Sequence, residues 1–337
     1  MIKMIGVKVM GDLSYSHFVA ASCPVLTVSL KSPAARSRDP RKEVDVADTT
    51  TGGEPLIRIL HPSDFSKASR VAFAHALKIA LLSKAELEIA HVQSDKLGAD
   101  KDVHWTEFPG VRATLARWKI LPAGAKVEDV IQTGLRVKKI LNSDSDPLES
   151  MVRYCEEHPP DLLVLATYQR EGLSRWLHKP VAEPLARRSR AMTLFVPSQS
   201  KGFISPANGA VTLRRILIPV DHEPNAQAAL EEAYFLATGL RCPEVEFKLL
   251  HAGIEGGMPT LYLPHRPDWK WEERLLPGDA VELILKEEAD WKPDLIVMAT
   301  QGHIDFLDAF RGSTTERILR RARCPVLAVP EKSTGST

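Results

Sequence analysis

Two long stretches of this chain repeat one another, and that self-similarity limits the fold more than any other feature. The first runs from IRILHPSDFSKASRVAFAHALKIAL (57–81) through AELEIAHVQ (85–93) to PDLLVLATYQ (160–169) and MTLFVP (192–197). The second runs from RRILIPVDHEPNAQAALEEAYFLATGL (214–240) through VEFKLLHAG (245–253) to PDLIVMATQG (293–302) and PVLAVP (325–330). Each copy alternates short Val/Ile/Leu-rich runs with longer segments of helical period, such as Ala226, Leu230, Ala233, Leu236 and Ala237 on one face. A continuous apolar run such as Leu295-Ile-Val-Met298 suits a strand covered on both faces, as in a parallel sheet flanked by helices. The repeat therefore predicts two tandem doubly wound α/β domains.

A length of 337 residues agrees with two domains of roughly 150 residues, and a 44% hydrophobic composition leads us to expect a core in each. The polar segment SQSKGFISPANG (198–209) reads as a linker with few core contacts. The resulting division is 1–54 for an N-terminal extension, 55–198 for the first domain, 199–210 for the linker and 211–332 for the second domain. Within the extension, the charged, turn-rich stretch 32–55 reads as a flexible connection. Upstream of it, Gly11 and Cys23-Pro-Val-Leu-Thr-Val28 match Gly312 and Cys324-Pro-Val-Leu-Ala-Val329 with the same spacing, so 11–28 is either a partial third copy or a chance likeness.

Balanced charge (44 Lys+Arg against 43 Asp+Glu) and 6% aromatic content disfavour nucleic-acid binding. No apolar run approaches the roughly 20 residues that span a bilayer, so no membrane partner is expected. The four cysteines are scattered without metal spacing, and the first thirty residues lack a secretory apolar core. A cytoplasmic protein with reduced thiols is the expectation.

The chemistry concentrates in the second copy. Its fourth apolar run ends at Met298-Ala299-Thr300-Gln301-Gly302, nine residues follow, and Gly312-Ser313-Thr314 opens a helical segment. Glycine lets the backbone approach a ligand closely, and a helix N-terminus offers unpaired N–H groups at the positive end of its dipole, which suits phosphate. Ser313 and Glu316 also make a capping box, which would spend those amides on the helix itself. The first run of the copy, Ile216-Leu-Ile-Pro-Val-Asp221, sets a carboxylate at a strand end, placed either to meet an adenine amine or ribose hydroxyl or to cap the helix starting near Pro224.

With these residues in view, the span 57–330 resembles a tandem universal stress protein. The nucleotide-binding pattern of that family, G-x2-G-x9-G-[ST], reads here Ala299-x2-Gly302-x9-Gly312-Ser313, with alanine for the first glycine. The resemblance implies an adenine-nucleotide alpha hydrolase-like fold of five strands per domain, and ATP as ligand, with or without Mg. It places Pro219, Val220, Asp221 and the backbone at Ala252 beside adenine. Met298, Ala299 and Gln301 would line the ribose and α-phosphate, and Gly302, Gly312, Ser313 and Thr314 would meet the phosphates. It also implies pairing through the last strands, between the two copies of one chain or between chains of a homodimer.

The first copy departs at the decisive positions: Ala166-x2-Gln169-x9-Lys179-Pro180 lacks both later glycines, and Pro180 has no N–H to offer. Asp64 still matches Asp221, though a helix cap is its commoner use. Lys179, Arg170 and Arg175 form either an anion site or a solvated basic face. Asp305 and Asp308 bring negative charge into the second loop, toward a metal or against tight binding. Strand-end His61, His91, His222 and His251 read as ordinary residues rather than metal ligands, and Trp269, Trp271 and Tyr262 as core packing. The expected function is regulatory ATP binding by the second domain in stress response, without catalytic residues. The alternatives are a partner-binding scaffold without nucleotide and a slow ATP hydrolase using Asp305 or His303.

Overall fold

The apolar runs of both copies become strands in the computed structural model, which describes residues 56–94, 108–167, 182–254, 257–300 and 314–331. The stretch 11–28 and the linker 32–55 lie outside them. In the first half the order is β1 (Arg58–Pro62), α1 (Lys67–Ser83), β2 (Glu86–Ser94), α2 (Val111–Arg117), α3 (Val127–Gln132), β3 (Arg136–Asp144), α4 (Pro147–Glu157), β4 (Leu162–Thr167), α5 (Ala182–Ser189) and β5 (Met192–Pro197). The second half runs β6 (Arg215–Pro219), α6 (Gln227–Gly239), β7 (Val245–Ala252), β8 (Trp269–Leu276), α7 (Ala280–Trp291), β9 (Leu295–Thr300), α8 (Thr314–Arg321) and β10 (Val326–Pro330).

Local chemistry sets the helix starts. Ser66 Oγ accepts the Ser69 N–H at 3.1 Å to open α1. Asp146 caps α4 ahead of a first-turn proline, and Asp279 does the same for α7 through the Glu282 N–H at 3.0 Å.

The strands join one ten-stranded sheet in the order β3-β2-β1-β4-β5-β10-β9-β6-β7-β8. Each half has the 3-2-1-4-5 arrangement of a doubly wound domain, all parallel, so the expected fold class holds. The halves meet where β5 and β10 pair antiparallel, with Val326 opposite Phe195 and Ala328 opposite Thr193. The last strands thus pair within one chain.

Alternate residues of every strand feed opposite faces. One face carries α1, α2 and α6 over a cluster that includes Ile59, Leu87, Ile216 and Phe247; the other carries α4, α5, α7 and α8 over Leu60, Leu163, Leu217 and Ile296. Each cluster draws on both halves. The expectation of one core per half is therefore corrected: apolar packing runs across the β5–β10 seam, because pairing the last strands leaves no solvated gap there.

The segment between the halves also departs from expectation. Phe203 and Ile204 are fully buried within 199–210, a stretch read from its polarity as poor in core contacts. Both of their backbone N–H groups donate to Nε2 of His75 on α1, at 3.0 and 3.2 Å, and the Trp118 indole N–H donates to the Pro206 carbonyl at 3.2 Å. Gly202 makes the approach feasible: its φ is +66°, and a Cβ there would lie 2.1 Å from His75 Cε1. Gly202→Ala combines left-handed strain with that collision and should destabilise the protein by about 2–4 kcal/mol, read from its urea midpoint. An unchanged midpoint would show that the segment yields freely.

Candidate nucleotide site

The crevice follows from the register. β6 pairs with β9 only at Ile216↔Leu295 and Leu217↔Ile296. Beyond that point β6 follows β7 to Pro219↔Leu250, while β9 follows β10 to Thr300↔Pro330. The two strands therefore part at their carboxyl ends, at the position where strand order reverses and ligands of open α/β sheets collect. β1 and β4 part in the same way after Leu60↔Leu163.

Asp221 stands exposed at the lip of the second crevice, its Oδ1 accepting the His222 N–H at 2.8 Å. It does not cap the following helix. That helix begins at Gln227, whose N–H goes to Asn225 Oδ1 at 2.9 Å. Asp64 likewise bonds the Ser66 N–H at 3.0 Å, and Ser66 is the cap of α1. The capping alternative for both carboxylates is thus corrected.

Pro219 is half-buried, and Val220 is buried with both backbone groups in use: its N–H donates to Leu250 O at 2.9 Å and its carbonyl accepts His251 Nδ1–H at 2.8 Å. Val220 therefore has apolar contact to offer a ligand. Ala252 ends β7 half-buried, one strand further along the same end of the sheet. Across the crevice the Met298 side chain is buried in the cluster containing Val281, Ile284 and Ile318, whereas Ala299 is half-buried on the opposite face. Thr314 is exposed as the first residue of α8, and Glu316 is buried and paired with Arg320. Gln301, Gly302, Gly312, Ser313 and the loop carboxylates Asp305 and Asp308 lie outside the described residues, as do Gln169, Arg170, Arg175, Lys179 and Pro180 of the first half. Among the described residues no group of three or more His, Cys, Asp or Glu could hold a metal ion, and no helix is long and apolar enough to cross a membrane.

At the equivalent end of the first half stand two phenylalanine rings, Phe65 and Phe108, that sequence reasoning did not single out. Phe65, next to Asp64, stacks on His91 with centroids 4.2 Å apart and meets buried Phe108 edge-on at 5.2 Å. In the second half the residue after Asp221 is the exposed His222, set edge-on to His251 at 5.8 Å. The signal was a phenylalanine following a strand-end Ser-Asp, which only the fold brings against Phe108. Of the aromatic cluster read as core, Trp269 is buried and Trp271 half-buried against Phe247, but Tyr262 is 73% exposed.

Two doubly wound halves fused through their last strands, each with a crevice between its first and fourth strands, define a paired α/β class of adenine-nucleotide alpha hydrolase-like fold. The sequence profile of the Universal stress protein family matches residues 57–197 and 261–330, more than half of the chain. The chain belongs to the universal stress protein family, which supports a role in stress response. Segment 198–260, with β6, Asp221 and Ala252, lies between the matched regions. Among solved structures, a universal stress protein from Archaeoglobus fulgidus DSM 4304 is similar at 19% identity and a TM-score of 0.54, over 82% of this chain and 96% of that one. A functionally unknown protein from Pseudomonas aeruginosa PAO1 is similar at 14% identity and a TM-score of 0.50, over 82% and 92%. These likenesses concern the fold. No curated protein sequence matches the chain.

Proposed function

We propose that the second half binds an adenine nucleotide, ATP in the first instance, and that binding serves a regulatory role in stress response. The observation that carries this reading is the parting of β6 from β9 beyond Leu217 and Ile296, with the Asp221 carboxylate exposed at its lip. The Gly302, Gly312 and Ser313 pattern supplies the phosphate-binding part of the proposal from sequence. The first half is the non-binding partner in this reading, since Phe65 and His91 stack at the equivalent strand ends with Phe108, from the segment before α2, packed on Phe65. That same stack favours a scaffold role for the first half.

Equilibrium dialysis of the full chain against labelled ATP tests the proposal. One equivalent per chain is expected. Gly312→Val, which sets a branched side chain against the phosphates, should abolish retention. Asp221→Ala should weaken it by about ten- to a hundredfold, the loss of one hydrogen bond to a charged group. No retention by the unaltered chain at millimolar ATP leaves the scaffold reading in its place.

A further inference from the structure

The β6–β7 ladder stops one rung earlier than its neighbours allow, and a side chain stops it. In a parallel pair a residue directs its N–H and its C=O to the same neighbouring strand, and every second residue repeats this. Leu250 faces β6, since its carbonyl accepts the Val220 N–H at 2.9 Å. Ala252, two residues on, faces the same way, and the next rung would carry its N–H to the Val220 carbonyl. Among the described residues that rung is not made. The carbonyl instead receives His251 Nδ1 at 2.8 Å, and since a carbonyl only accepts, Nδ1 carries the proton. Gly253 leaves room for the ring, as a Cβ there would lie 2.6 Å from His251 Nε2.

We infer that His251 is a positioning residue of the nucleotide site: by occupying the Val220 carbonyl it keeps the Ala252 amide open to the Watson–Crick edge of an adenine, beside the Ala252 carbonyl, whose ladder donor, the His222 N–H, goes to Asp221 Oδ1. This rests on the nucleotide reading above. Adenine presents an acceptor, N1, beside a donor, the N6 amine, and one open residue offers the complementary N–H and C=O. Guanine presents the reverse order, N1–H beside O6, and would set donor against donor. The first half repeats the device, with His91 Nδ1 2.6 Å from the Ser63 carbonyl, but there Phe65 lies on the imidazole.

Two measurements on the full chain decide the matter. In the ligand-free protein, residue-resolved hydrogen exchange should find the Ala252 amide fast in the unaltered chain and slowed in His251→Ala, where the rung can close. An Ala252 amide already as protected as that of Leu250 would overturn the inference. In titrations with ATP and GTP, His251→Ala should bind ATP about tenfold more weakly, one hydrogen bond's worth, with a smaller preference over GTP. His251→Asn, whose amide can still donate to Val220, should retain most of both, and His91→Ala should change neither. If the unaltered chain binds ATP and His251→Ala keeps its affinity and its preference, this role of His251 fails alone. If the unaltered chain binds no ATP, the nucleotide reading fails and takes this role with it.

Discussion

Between pH 6.5 and 4 this protein should lose about 6 kcal/mol of folding stability, about 3 from each of two buried histidines. His61 and His75 are fully buried, and desolvation holds both imidazoles down to about 4, against 6.5 in an unfolded chain. His61 donates from Nδ1 to the Val164 carbonyl at 2.9 Å and meets Ser69 Oγ at 3.3 Å through Nε2. His75 donates from Nδ1 to Val71 O at 2.8 Å, so its Nε2 is the lone-pair acceptor for the Phe203 and Ile204 amides. A proton on Nε2 would face two donors with no acceptor. The sign follows: as pH falls below 6.5 the unfolded chain takes up protons that the native state refuses. The contribution is full above 6.5, declines toward 4 and is flat below. Asp144, Glu149, Asp279 and Glu282, held below their usual range by backbone amides and arginine partners, add a further loss that begins only at the acid end of this window, as pH nears the unfolded carboxylate range. Glu183, raised by burial, acts in the opposite sense but is only partly buried, so solvent screens it. Urea titrations at pH 7, 6, 5 and 4.5 read the slope, and imidazole resonances assign it. A flat midpoint, or two imidazoles titrating near 6.5, contradicts the account.

The contrast between His75 and the strand runs shows what the sequence could and could not reveal. Runs such as Leu295-Ile-Val-Met298 announce central parallel strands because burial on both faces leaves no polar position. The edge strands are less visible: β3 and β8 carry Lys138, Lys139, Glu272, Glu273 and Arg274, charges that guard an open edge and hide the alternation. The burial of Phe203 was hidden for another reason. Its neighbours are Gly202, Ser205 and Pro206, and only a histidine 128 residues away accepts its amide. In the candidate site, the spacing of apolar runs placed Asp221, Ala299 and Thr314 at one end of the sheet, and the family resemblance added Ala252. The interrupted rung at His251 was not legible, because a strand-end histidine looks the same whether it caps a carbonyl or faces solvent. Nor was the Phe65 stack, which depends on Phe108 arriving from a separate segment.

Lys248→Met should destabilise the second half by about 3–5 kcal/mol, the usual cost of removing one partner from a buried ion pair. Lys248 Nζ lies 2.6 Å from Glu287 and 3.5 Å from Glu272, and sits 4.3 Å from the Trp291 ring centroid. The Lys248 and Glu287 side chains are 7% and 11% exposed, so a lone carboxylate there has little water to turn to. Lys248→Met with Glu287→Leu should therefore recover most of the loss. The first half carries the same arrangement with the sign inverted. Glu88 occupies the rung equivalent to Lys248, opposite Leu60 as Lys248 is opposite Leu217. Its partners are Lys138 on β3 at 3.2 Å, the Tyr154 hydroxyl on α4 at 2.9 Å and Arg58 on β1 at 3.7 Å. A charge reversal separates the two explanations of such a site. If burial alone matters, Lys248→Glu should resemble Lys248→Met; if pairing decides, three carboxylates converge and the second half should unfold. We expect unfolding, and we expect Lys248→Glu with Glu272→Lys and Glu287→Tyr, the first-half set, to restore a cooperative urea transition. A stable Lys248→Glu protein would remove the pairing argument. The inversion has a consequence for a chain built of two similar halves: were α7 to dock on β2 during folding, Glu287 would meet Glu88, and like-charge repulsion at a buried site rejects that exchange.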